Sequence, residues 1–404
     1  MFLKMTEPVY WTDPKKSTFE VTIAGVESVD GRVHIAVLED VVRPASGGQA
    51  GDRGEVSIGS EKFTFSGCVR DRGSLFLVAE KGPSEAGRAT LTLDIEWRTA
   101  MMRNHTGEHL FAKALTDLLG DVTLGRIWID GNHGSVEVLS SNVTLDALFN
   151  AERTVNEIIA RCLPVNSRVV KASEIDKEVR AREGVTSKHD RLRIVEVEGF
   201  DKSACSGIHV TNTEEILVFK IIDYGIESDR AHVEFITGSR AVQQLSDIYN
   251  EVLRRKTTYP FQVEQIGAVL DKSKEIREGF EAMRDKLLET LTRNPAYDTI
   301  GGVRFRAEIL PGFDTHLMKR FVKESKMKGP TVLLLFSPGD KCQVMLRTNE
   351  MPEEARYYIE DGMRAHGGVG GGRGEVFTCG FTGVEDPQVL FENLKTHIVN
   401  KISA

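Results

Sequence analysis

Two histidines four residues apart are the residues of this 404-residue sequence best suited to chemistry. His105 and His109 lie in a segment with a helical pattern, so both imidazoles project from one face, one turn apart. Rings at that spacing can bind one metal ion, and Zn²⁺ is the ion most often held this way. Alone, the pair is also compatible with surface or helix-capping histidines.

A second pair strengthens the metal interpretation. Cys205 and His209 are also four residues apart, in a short turn that contains Gly207. Together the two pairs supply three imidazoles and one thiolate, which is a complete donor set for zinc. A closed set of four protein ligands is typical of structural zinc, whereas a zinc that activates water needs an open position.

The composition indicates a soluble globular protein. The chain is 40% hydrophobic and 28% charged, and its length predicts two to four domains. It contains no apolar run long enough to span a membrane, and its N-terminus has no apolar core of signal-peptide length, so we expect a cytoplasmic protein. Five scattered cysteines indicate reduced thiols. A net charge of −8 argues against nucleic-acid binding by the whole surface, although a local basic face is compatible with it.

The elements that must position these residues change along the chain, and the expected fold is multidomain α+β. Residues 1–95 have short alternating apolar runs between turns, which predicts a small β-barrel. This region includes a glycine-rich stretch, Val42–Gly54, that forms either a tight loop approaching another group or a simple hairpin. Residues 96–240 combine a helix ending at Gly120, a second helix over 144–159 and three strands over 191–198, 215–222 and 232–236, so this α+β domain carries both halves of the metal set. The two histidines lie at the edge of the apolar stripe of the first helix, where we expect them to face a cleft.

The C-terminal part of the chain is predicted to be different. Residues 241–295 show apolar positions alternating by three and four, which predicts a coiled-coil seam, used in a helical hairpin, in a homodimer or merely as a spacer. Residues 296–404 form a smaller α/β unit with two features compatible with phosphate contacts. One is a basic helix face, which is either a solvated surface or a binding site, and the other is a dense glycine run, which we expect to form a loop. Their candidate residues are Lys319, Arg320, Lys323, Gly370, Gly371, Gly372 and Arg373.

The order of these motifs resembles the editing half of alanyl-tRNA synthetase. The resemblance rests on Ser46-Gly47-Gly48-Gln49 with Asp52, on Asn104-His105-Thr106 with His109, and on Cys205 with Gly207 and His209; the glycine run at 367–374 resembles the C-terminal domain of the same enzymes. Ile208 stands where that family usually has threonine. Because the barrel begins near residue 7, the resemblance implies a freestanding, long-form AlaX-type trans-editing protein.

The resemblance implies a reaction and roles for residues. The reaction is hydrolysis of the ester between tRNA(Ala) and a wrong amino acid, serine or glycine, which binding energy alone separates poorly from alanine. One zinc per chain would be held by His105, His109, Cys205 and His209. Thr106 would contact the serine hydroxyl, and the loop with Gly47, Gly48 and Gln49 would close over the site. Thr106, Glu108 and Gln49 are therefore the candidate catalytic residues, and the C-terminal domain would bind tRNA.

Two other functions fit parts of the same pattern. His105 to His109 also reads H-x-x-E-H, the motif of inverted-motif zinc proteases in which Glu108 would be the general base. Cys205 is poorly suited to such a site, which takes a carboxylate as its third ligand. Alternatively, the zinc is purely structural and the protein is a tRNA-binding or regulatory module, which agrees with the closed donor set.

Overall fold

The structure is a computed structural model that describes residues 7–120, 122–176, 178–180, 190–258, 260–293 and 295–404. It divides into two compact units, Met1–Tyr259 and Pro260–Ala404. The expected mixed α+β, multidomain architecture is confirmed, while the four domain boundaries remain predictions. Residues 1–6, on which the expectation about export rests, lie outside the described residues. Within the described ranges, no helix is long and apolar enough to cross a membrane.

The first unit begins with a short helix and a closed six-stranded barrel, as the sequence predicts. Neighbouring strands are antiparallel in the order β1-β2-β5-β4-β3-β6. The barrel is filled by inward-facing residues such as Phe65, Leu77 and Leu91. The elements are α1 (Val9–Thr12), β1 (Thr18–Val29), β2 (Arg32–Val37), β3 (Gly54–Ile58), β4 (Glu61–Asp71), β5 (Ser74–Ala79) and β6 (Gly87–Leu93).

Helix α2 (Ile95–Leu119) follows the barrel directly and is the central element of this unit. Asp94 caps its first turn through Trp97 N, and Gly120 ends it with a φ of 80°. We expected the two histidines at the edge of one apolar stripe, facing a cleft. Instead, the helix is buried on nearly every side from Met101 to Leu115. A second helix, strands of the neighbouring sheets and the barrel loop all pack on it.

Two small sheets complete the first unit. A four-stranded sheet has the order β12-β13-β8-β7, and a three-stranded sheet has the order β11-β10-β9. The predicted second helix is confirmed as α3, with Thr144 as its cap. The elements are β7 (Thr123–Ile129), β8 (Gly134–Leu139), α3 (Leu145–Ala160), β9 (Val165–Lys171), β10 (Arg191–Val197), β11 (Asp201–Ala204), β12 (Phe219–Ile226), β13 (Arg230–Thr237) and α4 (Gly238–Arg255).

The chain around the second ligand pair differs from the prediction. We expected a strand from Glu215 to Ile222, but the strand starts at Phe219 because Asn212 caps a 3₁₀ turn over Thr213–Ile216. The turn from Cys205 to His209 is therefore followed by this 3₁₀ turn before the next strand begins. It leaves β11 in the three-stranded sheet, and the next strand, β12, belongs to the four-stranded sheet.

The second unit is an α/β structure built on a six-stranded sheet of order β14-β15-β16-β17-β19-β18. The glycine run, which we expected as a loop, is instead the edge strand β18, and it pairs with β19. Apolar side chains on α4 and α5 are exposed, and no helix in the described part of the chain covers them. The coiled-coil hypothesis therefore stays a prediction. The elements are α5 (Ile266–Arg293), β14 (Asp298–Ile300), β15 (Val303–Ile309), α6 (Thr315–Glu324), β16 (Thr331–Ser337), β17 (Lys341–Asn349), α7 (Ala355–Ala365), β18 (Val369–Arg373), β19 (Val376–Thr382) and α8 (Pro387–Ser403).

Candidate metal centre

The four candidate ligands meet in one place. The donor atoms of His105, His109, Cys205 and His209 all lie within 4.8 Å of one another. Cys205 Sγ is 3.5 Å from His105 Nε2 and 3.4 Å from His209 Nε2. Tetrahedral zinc with ordinary Zn–N and Zn–S bonds separates such atoms by about 3.6 Å. The donor set and its spacing therefore fit a zinc ion.

Helix α2 fixes the first ligand pair through its burial. His105 and His109 are each 7% exposed. The neighbouring Asn104 anchors this turn of the helix, because its Nδ2 donates to Asp130 O at 2.8 Å and its Oδ1 accepts from Thr237 Oγ1 at 2.7 Å. These two bonds tie the helix to the four-stranded sheet on both sides of β8, so the histidine rings are held on a rigid support.

The turn that carries the second pair depends on Gly207. A Cβ at this position would lie 2.1 Å from His105 Cε1, so only glycine allows the turn to approach the histidine. Gly207 N–H donates to Cys205 Sγ at 3.4 Å. Arg193 holds the turn from the other side, since its Nη1 donates to Gly207 O at 2.7 Å and to Cys205 O at 3.3 Å.

Burial shifts the pKa values of two candidate ligands in opposite directions. Burial, aided by the neighbouring His105 and His109, lowers the pKa of His209 well below its usual value, so this imidazole stays neutral. Burial raises the pKa of the Cys205 thiol, while the N–H of Gly207 opposes that shift. A neutral imidazole is already in the form that binds metal, whereas the thiol must lose its proton on binding.

Two of the ligand rings have polar groups behind them. The Thr106 hydroxyl lies 3.2 Å from His209 Nδ1, and an Asp201 carboxylate oxygen lies 3.8 Å from His109 Nδ1. Arg180 makes two bonds to the Asp201 carboxylate, at 2.8 and 2.9 Å, and a third to the carbonyl of His109 at 3.1 Å. Carboxylates in this position commonly orient metal-binding histidines.

The glycine-rich loop of the barrel brings Gln49 to the same place. Gly48 has a φ of 84°, and a Cβ there would lie 2.5 Å from Ile127 O, so the loop can close against β7. Gln49 is 1% exposed, and its Oε1 accepts from Ile208 N–H at 3.2 Å. Among the described residues, its Nε2 has no hydrogen-bond partner. The loop therefore presents a buried amide donor beside the ligand turn.

The loop itself is held by a buried arginine. Arg43 Nη1 donates to the carbonyl oxygens of Pro44, Gln49 and Ala50, and its Nη2 donates to Ser46 O. Glu108, the remaining catalytic candidate of this unit, is buried with Oε2 3.9 Å from His109 Nε2. The structure thus brings Gln49, Thr106 and Glu108 together with the four ligands, whereas Gly48 packs against Ile127 and Gly47 is exposed in the loop.

The C-terminal candidates lie in the other unit, on helix α6 and on the edge strand β18. Lys319, Arg320 and Lys323 are exposed on α6, although Arg320 is paired with Glu324 and Asp285. A groove of about 290 Å³ lies between the start of this helix and the glycine strand, lined in part by Thr315, Lys341, Gly370 and Gly371. Gly372 and Arg373 continue the exposed edge of that strand.

Sequence reasoning missed the residues that support the site. Arg43, Arg193 and Asp201 are buried and charged. Arg43 donates hydrogen bonds to the loop, Arg193 donates to the turn, and an Asp201 oxygen lies 3.8 Å from a ligand ring. The available sequence signal was a charged residue within or beside an apolar strand. Such a residue is buried only when it is paired, so its presence indicates a buried polar contact. Their partners are distant in sequence, so the signal alone did not assign them.

Comparisons with known proteins confirm the predicted resemblance. A family profile described as "Threonyl and Alanyl tRNA synthetase second additional domain" matches residues 192–237. The "Alanyl-tRNA editing protein AlaX-L" of Pyrococcus horikoshii is 26% identical over 380 residues, which cover 91% of this chain and 93% of that protein.

Longer proteins match as well. The alanine–tRNA ligases of Methanopyrus kandleri and Bacillus velezensis are 25% and 28% identical over 91% and 83% of this chain, which spans 42% and 40% of their lengths. The solved C-Ala domain of Aquifex aeolicus alanyl-tRNA synthetase matches 27% of this chain and 99% of its own, at 15% identity and a TM-score of 0.24.

Proposed function

We propose that this protein is a zinc-dependent aminoacyl-tRNA ester hydrolase that removes serine, and also glycine, from tRNA(Ala). The observation that carries the proposal is the buried Gln49 amide, whose Nε2 lies beside the four-donor cluster without a partner among the described residues. A buried donor without a partner costs about 1–3 kcal/mol. A substrate oxygen bound at the site would recover that energy.

The chain's own residues account for the main needs of ester hydrolysis. Gln49 Nε2 would donate to the ester carbonyl oxygen and stabilise the negative charge that develops there. Glu108 would take the proton of the attacking water and return it to the ribose oxygen of the tRNA as the ester C–O bond breaks. A Zn²⁺ ion held by the four candidate ligands would supply Lewis acidity and positive charge beside the substrate. No side chain is needed as a nucleophile, so no acyl-enzyme is expected.

The tRNA would contact the second unit in this proposal. The groove between α6 and β18 combines the side chain of Lys341 with glycine backbone, and both kinds of group are common in phosphate contacts. Lys319, Lys323 and Arg373 would carry charge to the backbone, and Arg320 would do so only after leaving its two acidic partners. The proposal also includes a homodimer, in which two copies of the chain associate through the helical region.

The direct test is deacylation of Ser-tRNA(Ala), Gly-tRNA(Ala) and Ala-tRNA(Ala) by the full chain, with bound zinc determined. We expect loss of the serine and glycine esters and protection of the alanine ester. Cys205→Ala should lose both zinc and activity, and Cys162→Ala, which changes an exposed cysteine, should keep both. Stoichiometric zinc with tRNA binding but no hydrolysis would favour the structural-zinc module instead, and cleavage of a peptide panel would favour the protease.

A further inference from the structure

The ring of His209 is held at both nitrogens. Its Nε2 lies within the donor cluster, 3.4 Å from Cys205 Sγ, and its Nδ1 lies 3.2 Å from Thr106 Oγ1. A neutral imidazole carries one proton, and only the other nitrogen has a lone pair for a metal ion. The position of that proton therefore decides whether Nε2 can act as a ligand.

The other bonds of the Thr106 hydroxyl determine where the proton lies. A hydroxyl has one proton to donate and two lone pairs that accept. Its proton goes to Met102 O at 2.9 Å, because a carbonyl oxygen can only accept. One lone pair accepts from Val210 N–H at 3.2 Å, because that group can only donate. The remaining lone pair faces His209, so Nδ1 must be the nitrogen that carries the proton.

We propose that Thr106 is a positioning residue that fixes the Nδ1–H tautomer of His209 and thereby directs the Nε2 lone pair at the metal ion. This inference rests on the zinc site of the proposed function. Thr106 is 0% exposed, so water does not compete for its hydroxyl. With three bonds made, the hydroxyl has no capacity left for the hydroxyl of a substrate serine. Its role thus differs from the serine contact that the family resemblance implies.

The test compares Thr106→Val and Thr106→Ser. Valine keeps the shape and removes the acceptor, so zinc affinity measured against a competing chelator should fall about 10- to 100-fold, the usual effect of losing a group behind a ligand. Serine keeps the hydroxyl and should restore the parent affinity. The absorption spectrum of the cobalt-substituted protein should change in the valine variant and return in the serine variant.

Thr116→Val is the matched control. Thr116 lies on the same helix and donates to the carbonyl four residues earlier, Ala112 O, at 2.8 Å, as Thr106 does to Met102. It therefore reports the effect of losing that bond alone, and it should leave zinc affinity unchanged. Thr106→Ala provides a second variant without the hydroxyl if valine prevents folding, and thermal unfolding in chelator separates general instability from loss of metal binding.

Deacylation at saturating zinc distinguishes this role from a serine contact. If Thr106 positions His209, the ratio of serine to glycine ester hydrolysis in the valine variant should equal that of the parent. An altered ratio with unchanged zinc affinity would overturn the proposal, and so would equal zinc affinity in the parent, valine and alanine forms. Because affinity is measured without any substrate, the inference stays testable if the protein hydrolyses no ester.

Discussion

Arg98 and Asp52 form a fully buried, two-bond ion pair between the metal-site helix and the barrel loop. Arg98 Nε donates to Asp52 Oδ1 at 2.9 Å and Arg98 Nη2 donates to Oδ2 at 2.5 Å. The same carboxylate accepts from the backbone N–H of Arg43 at 2.6 Å. One carboxylate therefore connects the helix that carries two ligands to the loop that carries Gln49.

We expect Arg98→Met to lower the free energy of unfolding by about 3–5 kcal/mol, because it leaves the Asp52 charge buried without its cation. Denaturant unfolding measures the effect. Arg70→Met is the control, since Arg70 and Asp40 form an ion pair that is largely exposed, and such pairs contribute about 1 kcal/mol or less. Equal effects of the two substitutions would contradict the structural role of the buried pair.

Gly207→Ala should remove zinc and leave the fold intact. The new Cβ would meet the His105 ring at 2.1 Å, so the turn must move away from the helix and separate the two ligand pairs. Metal analysis of the purified protein, with circular dichroism as the check on folding, measures this. Gly225→Ala is the matched control, because a Cβ there meets nothing within 4 Å. Full zinc content in the Gly207 variant would mean that the turn adjusts without cost.

Gln49→Leu should lower kcat/KM for the serine and glycine esters about 10- to 100-fold, the effect of losing one buried hydrogen bond in the transition state. Zinc content should stay at the parent value, because Gln49 is not among the four donors. The control is Gln243→Leu, which changes an exposed glutamine of α4. A drop for the serine ester alone would show that the amide contacts the serine side chain instead of the ester carbonyl.

The cysteines should react with alkylating agents in the order of their burial. Cys162 is exposed and should be labelled first, whereas Cys379 is buried and its burial raises the pKa of the thiol to about 12. At pH 8 only about one part in ten thousand of such a thiol is the reactive thiolate. Mass spectrometry of the labelled native protein measures the order, with Cys162→Ser to confirm the assignment. Equal labelling of the two would contradict it.

The sequence predicted the parts of this fold in which local pattern and tertiary environment agree. Alternating apolar residues indicated the barrel strands, and the stop at Gly120 marked the end of a helix. The apolar run from Glu215 to Ile222 misled, because its first half forms a capped 3₁₀ turn. The glycine run gave no alternation to read, since glycine has no side chain, and its strand character depends on β19.

The sequence predicted those parts of the site whose residues lie close together along the chain. His105 with His109, and Cys205 with His209, were identified as pairs because each pair lies within one short element. The contact between Gln49 and Ile208 joins residues 159 positions apart, and no local pattern encodes it. The three bonds of the Thr106 hydroxyl also depend on a distant segment, at His209 and Val210. Such contacts become visible only when the chain is folded.

The separation of the two ligand pairs along the chain has a consequence for assembly. His105 and Cys205 are 100 residues apart, so an ion that joins them closes a loop of that length. A covalent cross-link over such a loop restricts the unfolded chain by about 4–5 kcal/mol, and a metal clip acts in the same sense. During synthesis the helical half of the site emerges first, and the set of ligands is complete only after His209 leaves the ribosome. In the proposed zinc protein, metal capture would therefore be a late step that follows synthesis of the whole barrel.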